Sequence, residues 1–194
     1  VSKLGGQPCW LDTPTWPVSK KTGKPMTFIG QIRLDGEPFG NAQPVRIAYM
    51  FMTGAGFDED AHETWDPDLG ENAVVIQPGT YQGSSTASPQ GPTVGHLHFD
   101  TPDVNRSGPA EFLITAELKT EHRFLAQADV DAMHPTEQDQ ILKTWQGVKS
   151  GGSPYWLQGE QYPFESWYLV FQADDSALPV AVNFGTGIGY CFAN

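Results

Sequence analysis

A single, mainly β domain (α+β, with a minor helix) built around an internal duplication is the architecture this sequence predicts. Three observations carry it. Gly (21) and Pro (16) are abundant while charged residues make up only 18% of the 194, a mixture that suits short strands joined by tight turns. Eleven Phe, six Trp and six Tyr supply more buriable surface than a disordered chain carries. The skeleton K-x-G-G-x-P-x-W-L occurs at Lys3 to Leu11, "KLGGQPCWL", and again at Lys149 to Leu157, "KSGGSPYWL".

Each copy of the skeleton opens a segment of the same plan. After the first, "LDTPTWPVSKKTGKP" reads as loop. "MTFIGQIRL" (Met26 to Leu34) has the β-branched and aromatic content of a strand. A turn-rich connection then leads to "VRIAYMFM" (Val45 to Met52), where Val45, Ile47, Tyr49 and Phe51 alternate onto one face. After the second copy, "SWYLVFQAD" and "LPVAVNFGTGIGYCF" repeat the order. Gln31 in the first strand answers to Gln172, and Ile47-x-Tyr49-x-Phe51 answers to Ile188-x-Tyr190-x-Phe192.

The predicted division is therefore a first half over 3–52, a β-rich insert over 53–148 and a second half over 149–194, all within one domain. In each half the paired glycines, Gly5-Gly6 and Gly151-Gly152, permit positive φ or close backbone approach. Pro8 and Pro154 fix the exit of the turn, and Trp10 and Trp156 seat it on the core. The insert supplies "NAVVIQPGTY", "GHLHFD" and "EFLITAEL" as strands. "PTEQDQILKTWQ" (Pro135 to Gln146) reads as a helix, with Pro at its first position, Ile141, Leu142 and Trp145 on one face, and Gly147 at its end. "LAQADVDAM" reads as a second, shorter one.

These motifs, with the closing "NFGTGIGYCF", resemble the YwqG-like family, a bacterial group classed as a domain of unknown function, over nearly the whole chain. The resemblance implies a compact, mostly β architecture with an internal duplication and no agreed catalytic activity; some relatives are held to be immunity-type proteins of bacterial toxin systems. Relatives commonly carry an acidic residue in the closing segment, as G-D-x-G, where this chain has Gly185-Thr186-Gly187. The family brings no established site residues.

A formal net charge of −12, with scattered cations and one local cluster at Lys20, Lys21 and Lys24, argues against nucleic acid as a partner. It is compatible with a basic protein partner. No apolar run approaches the ~20 residues of a membrane helix, and no signal peptide is visible. Cys9 and Cys191 are too few for a disulfide framework, so a reducing cytoplasm is the expected location.

Two stretches point to chemistry. In "GHLHFD" a strand puts His96 and His98 on one face, as two metal-binding imidazoles would be, with Asp103 as a further ligand and Gly91 and Gly108 completing a loose echo of the first cupin motif. The bland alternative is two satisfied strand histidines. "GFDEDAHETWDPDLGE" concentrates Asp58, Glu59, Asp60, Glu63, Asp66, Asp68 and Glu71. It reads as a solvated loop or an acidic docking face, and lacks the ligand alternation of a Ca²⁺ loop. No nucleophile elbow or phosphate loop is present. The expected function is a non-enzymatic, acidic protein-binding module without a cofactor. The alternatives are a metal-dependent, cupin-like enzyme and a carbohydrate binder that stacks sugars on Trp10, Trp16, Trp65, Trp156 or Trp167.

Overall fold

Lys3–Gly5 forms the first strand, β1, which stops where Gly5 and Gly6 turn the chain through φ of +67° and +65°. The protein is seen here as a computed structural model that describes residues 1–41, 44–55, 63–79, 90–96, 107–161, 163 and 166–194. Thr27–Leu34 is β2 and Arg46–Met52 is β3, each starting one residue inside its predicted bounds. The insert contributes β4 (Asn72–Pro78), β5 (Gly95–His96), β6 (Ser107–Pro109) and β7 (Glu111–Leu113). It also contributes α1 (Gln127–Asp131) and α2 (Pro135–Trp145). Tyr168–Asp174 and Ile188–Ala193 form β8 and β9. The described chain is mainly β, and its strand pairing is antiparallel within every sheet.

Five strands assemble in the order β4-β3-β2-β1-β7, so the insert supplies both edges of the sheet begun by the first half. β5 pairs with β6, and β8 with β9. β3 is buried on both faces, in keeping with the scarcity of polar residues in its sequence. Ala48, Met50 and Met52 face the central core, together with Ile32 and Leu34 of β2 and Val170, Ala173 and Cys191 of the second hairpin. Ile47, Tyr49 and Phe51 face outward into a second cluster, sealed by Trp10, Met26 and Phe28. Fully burying a side chain of this size contributes about 1.5–3 kcal/mol, which makes the loop over residues 10–26 an integral layer of the fold.

The chain ahead of the second glycine pair is helical. His134 caps α2 by accepting from the Thr136 amide, and Pro135 takes the first helical position, where a missing N–H costs nothing. Ile141 and Trp145 are buried with Val130 of α1, and Leu142 and Tyr155 pack against them. The predicted helical face is the one that docks.

Two expected strands are shorter than the sequence suggests. "EFLITAEL" gives only Glu111–Leu113, and residues 114–126 are irregular. Phe112 and Ile114 pack against the central core, while Leu113 and Leu118 are 72% and 77% exposed. In "LPVAVNFGTGIGYCF" the strand begins only at Ile188. Leu178, Val180 and Val182 reach the core from irregular chain, and Thr186 has φ of +60°. A β-branched residue is strained there. Thr186→Gly is expected to raise stability by about 1 kcal/mol, read as a higher denaturant midpoint. A lower midpoint would show that the Thr186 hydroxyl bond to the Gly185 carbonyl (2.6 Å) outweighs the strain.

Candidate functional site

Gln31 and Gln172 are fully buried amides in the middle of apolar strands. A buried amide must find partners, and each finds the backbone of a glycine-pair segment. The Cys9 N–H donates to Gln31 Oε1 (2.8 Å), while Gln31 Nε2 donates to the Val1 carbonyl (2.8 Å). The Tyr155 N–H donates to Gln172 Oε1 (2.8 Å), while Gln172 Nε2 donates to the carbonyls of Trp145 (3.0 Å) and Gly147 (3.1 Å).

The tyrosines of the two I-x-Y-x-F segments close the same frames. Tyr49 sits opposite Gln31 in the sheet and its hydroxyl donates to the Cys9 carbonyl (2.8 Å). Tyr190 sits opposite Gln172 and donates to the Tyr155 carbonyl (2.6 Å). Burial pushes the Tyr49 phenol well above its ordinary range and Tyr190 up to about 12, so both remain protonated donors. Trp10 lies 4.6 Å from the Tyr49 ring and 6.1 Å from Phe51; Trp156 lies 4.9 Å from Tyr190 and 5.8 Å from Phe192. Lys3 pairs with Gln31 and Lys149 with Gln172 across a strand register, and both hairpins carry a bulge at the corresponding point, between Phe28 and Gly30 and between Leu169 and Phe171.

Each corner also holds an ion pair that sequence reading missed. Lys3 Nζ meets Glu111 Oε1 at 3.2 Å, and Lys149 Nζ meets Glu121, which also accepts from the Ser153 amide. The carboxylates lie against Gly6 and Gly152, where an added Cβ would overlap them. The Lys of K-x-G-G was the available signal, but its partners are 108 and 28 residues away. Gly5, Gly6, Pro8, Trp10, Gly151, Gly152, Pro154 and Trp156 thus occupy backbone-organising corners.

The acidic stretch divides. Asp58, Glu59 and Asp60 lie outside the described residues. Glu63 and Asp68 are exposed, Asp66 is half-buried, and Trp65 among them is 75% exposed. Glu71, expected in the same face, is instead buried and accepts from the Lys21 amide (3.0 Å), fixing the 19–24 loop from within. Its neighbour Gly70 carries the Lys20 side chain, so the basic cluster borders this surface.

Of the metal-site residues, His98 and Asp103 lie outside the described residues. His96 packs edge-on against Phe112 at 5.4 Å. Gly91 has a structural task, since the Gln7 amide bonds its N–H and its carbonyl, both at 3.0 Å, and an added Cβ would strike Trp16. No group of three or more His, Cys, Asp or Glu suited to a metal occurs among the described residues. Cys9 and Cys191 are free, and burial pushes the Cys191 thiol up to about 12. Of the tryptophans named for sugar stacking, Trp10 and Trp16 are packed against each other and against Phe51. Among the described residues no helix is long and apolar enough to cross a membrane.

The geometry defines a class by its construction: an antiparallel β scaffold with two glycine corners and an exposed acidic, tryptophan-bearing loop. Comparison with protein-family models, with curated proteins and with solved structures finds no match.

Proposed function

We propose that the protein is a non-enzymatic binding module that engages a basic partner protein through the surface around Trp65. The observation that carries this reading is a large aromatic, 75% exposed, set between Glu63, Asp66 and Asp68. Tryptophan ringed by polar groups is a common anchor of protein interfaces. The carboxylates add attraction and speed to encounter with a cationic surface, in keeping with the net charge of −12. The role is that of an accessory or immunity-type protein. The paired corners support reading the two hairpins as copies of one unit, and the motifs they contain support kinship with the YwqG-like family.

The test compares wild type with the triple variant Trp65→Ser, Asp66→Lys, Asp68→Lys in affinity capture from a bacterial lysate, after matched thermal melts. A basic protein held stoichiometrically by wild type, released by salt and absent from the variant is the expected result. Equal recovery by both proteins, or none by either, sinks the reading.

A further inference from the structure

We propose that a cavity of about 260 Å³ at the junction of the two halves binds a small monocarboxylate with an apolar body. Pro38 and Phe39 wall it from the turn after β2, Arg46 from the start of β3, Gly151 from the second glycine pair, and Tyr168 and Leu169 from the start of β8. None of these residues belongs to the acidic loop, so the proposal is independent of that reading.

Two polar atoms point to a ligand. Arg46 Nε and the Tyr168 hydroxyl are both buried, and neither has a hydrogen-bond partner among the described residues. A buried donor without a partner is expensive. Phenylalanine would occupy the Tyr168 site without that cost, and Phe39 already packs its ring against Tyr168 at 5.8 Å. Arg46 makes no ion pair among the described residues. The cavity therefore offers a guanidinium, which only donates, beside a phenol that can donate.

The two glycine corners differ in what stands against them. In the first, the Ala110 carbonyl fills the space beside Gly5 and accepts from the Gly6 amide (2.6 Å). In the second, the corresponding space beside Gly151 is met by the Pro38 ring from the other half. The register Leu34↔Arg46 fixes Arg46 next to that turn. The nearby Glu121 carboxylate, against Gly152, is compensated by Lys149 and the Ser153 amide.

Donors of this kind recognise carboxylate or phosphate. A net charge of −12 disfavours a dianion more than a monoanion, and one cation against the apolar walls of Pro38, Phe39 and Leu169 suits a carboxylate on a short aromatic or aliphatic body. Such a group can come from a free acid or from the C-terminus of a peptide.

The test is an amide-resolved NMR titration of the full chain with phenylacetate, with inorganic phosphate, and with a short peptide ending in Phe, either free or amidated. Saturable shifts at Gly151, Gly152 and Tyr168 are expected with phenylacetate. Arg46→Gln is expected to weaken binding at least about 10-fold and Tyr168→Phe a few-fold, with thermal melts confirming that both variants fold. A free peptide that binds while its amide does not would identify a chain terminus as the source; phenylacetate binding with both peptides silent would identify a free acid. Absence of saturable shifts with phenylacetate and free peptide, equal affinity in Arg46→Gln, or tighter binding of phosphate than of phenylacetate each overturns the proposal.

Discussion

Replacing Gln172 by leucine is expected to destabilise the protein by about 4 kcal/mol, from the cost of burying backbone groups without partners. The amide joins three of them, the Tyr155 N–H and the carbonyls of Trp145 and Gly147, and is itself fully buried. Leucine fits the apolar strand but satisfies none of the three. For a domain whose whole stability is of order 5–15 kcal/mol, this is a large share. Gln31→Leu removes one bond fewer, to the Cys9 N–H and the Val1 carbonyl, and is expected to cost about 3 kcal/mol. Denaturant unfolding checks both. A loss under about 1 kcal/mol at Gln172 would mean that water or a shifted backbone replaces the amide.

The second large effect is steric. Gly5→Ala adds a Cβ where the Ala110 carbonyl oxygen stands, a backbone atom held in the sheet next to β7. Gly23 has a similar φ, +70° against +67°, with nothing near its Cβ position, and serves as the control. Gly23→Ala is expected to cost about 1 kcal/mol for the positive φ alone. Gly5→Ala should exceed it by 2 kcal/mol or more, on the order of an overpacked core. Gly151→Ala meets the ring of Pro38, an exposed side chain, so an intermediate cost is expected, partly relieved in the double variant with Pro38→Ala. Equal losses at Gly5 and Gly23 would remove the steric argument.

How much of this was legible in the sequence depended on range. β2, β3, β8 and α2 were readable because their signals are local: β-branched and aromatic runs in the strands, Pro135 and the spacing of Ile141 and Trp145 in the helix. The recurrence of Gln31 and Gln172 marked the right residues, but their role lies in the backbone they hold, which no spacing reveals. "EFLITAEL" misled because β propensity does not say how far a partner strand extends: Glu111–Leu113 pair with β1, and beyond them Leu118 is left exposed. Glu71 looked like its acidic neighbours; only the path of the 19–24 loop over it makes it a buried anchor. Arg46 and Tyr168 gave no signal at all, being single residues at the starts of β3 and β8 that packing brings to one cavity.

Glu111 and Glu121 sit on one short stretch of chain, yet each completes a different glycine corner. That stretch works as a shared clasp. Glu111 reaches back 108 residues to Lys3, while Glu121 reaches forward 28 to Lys149. The two corners are thus anchored on one connecting segment rather than independently. A cut between the two glutamates would unfasten both while removing no residue from either.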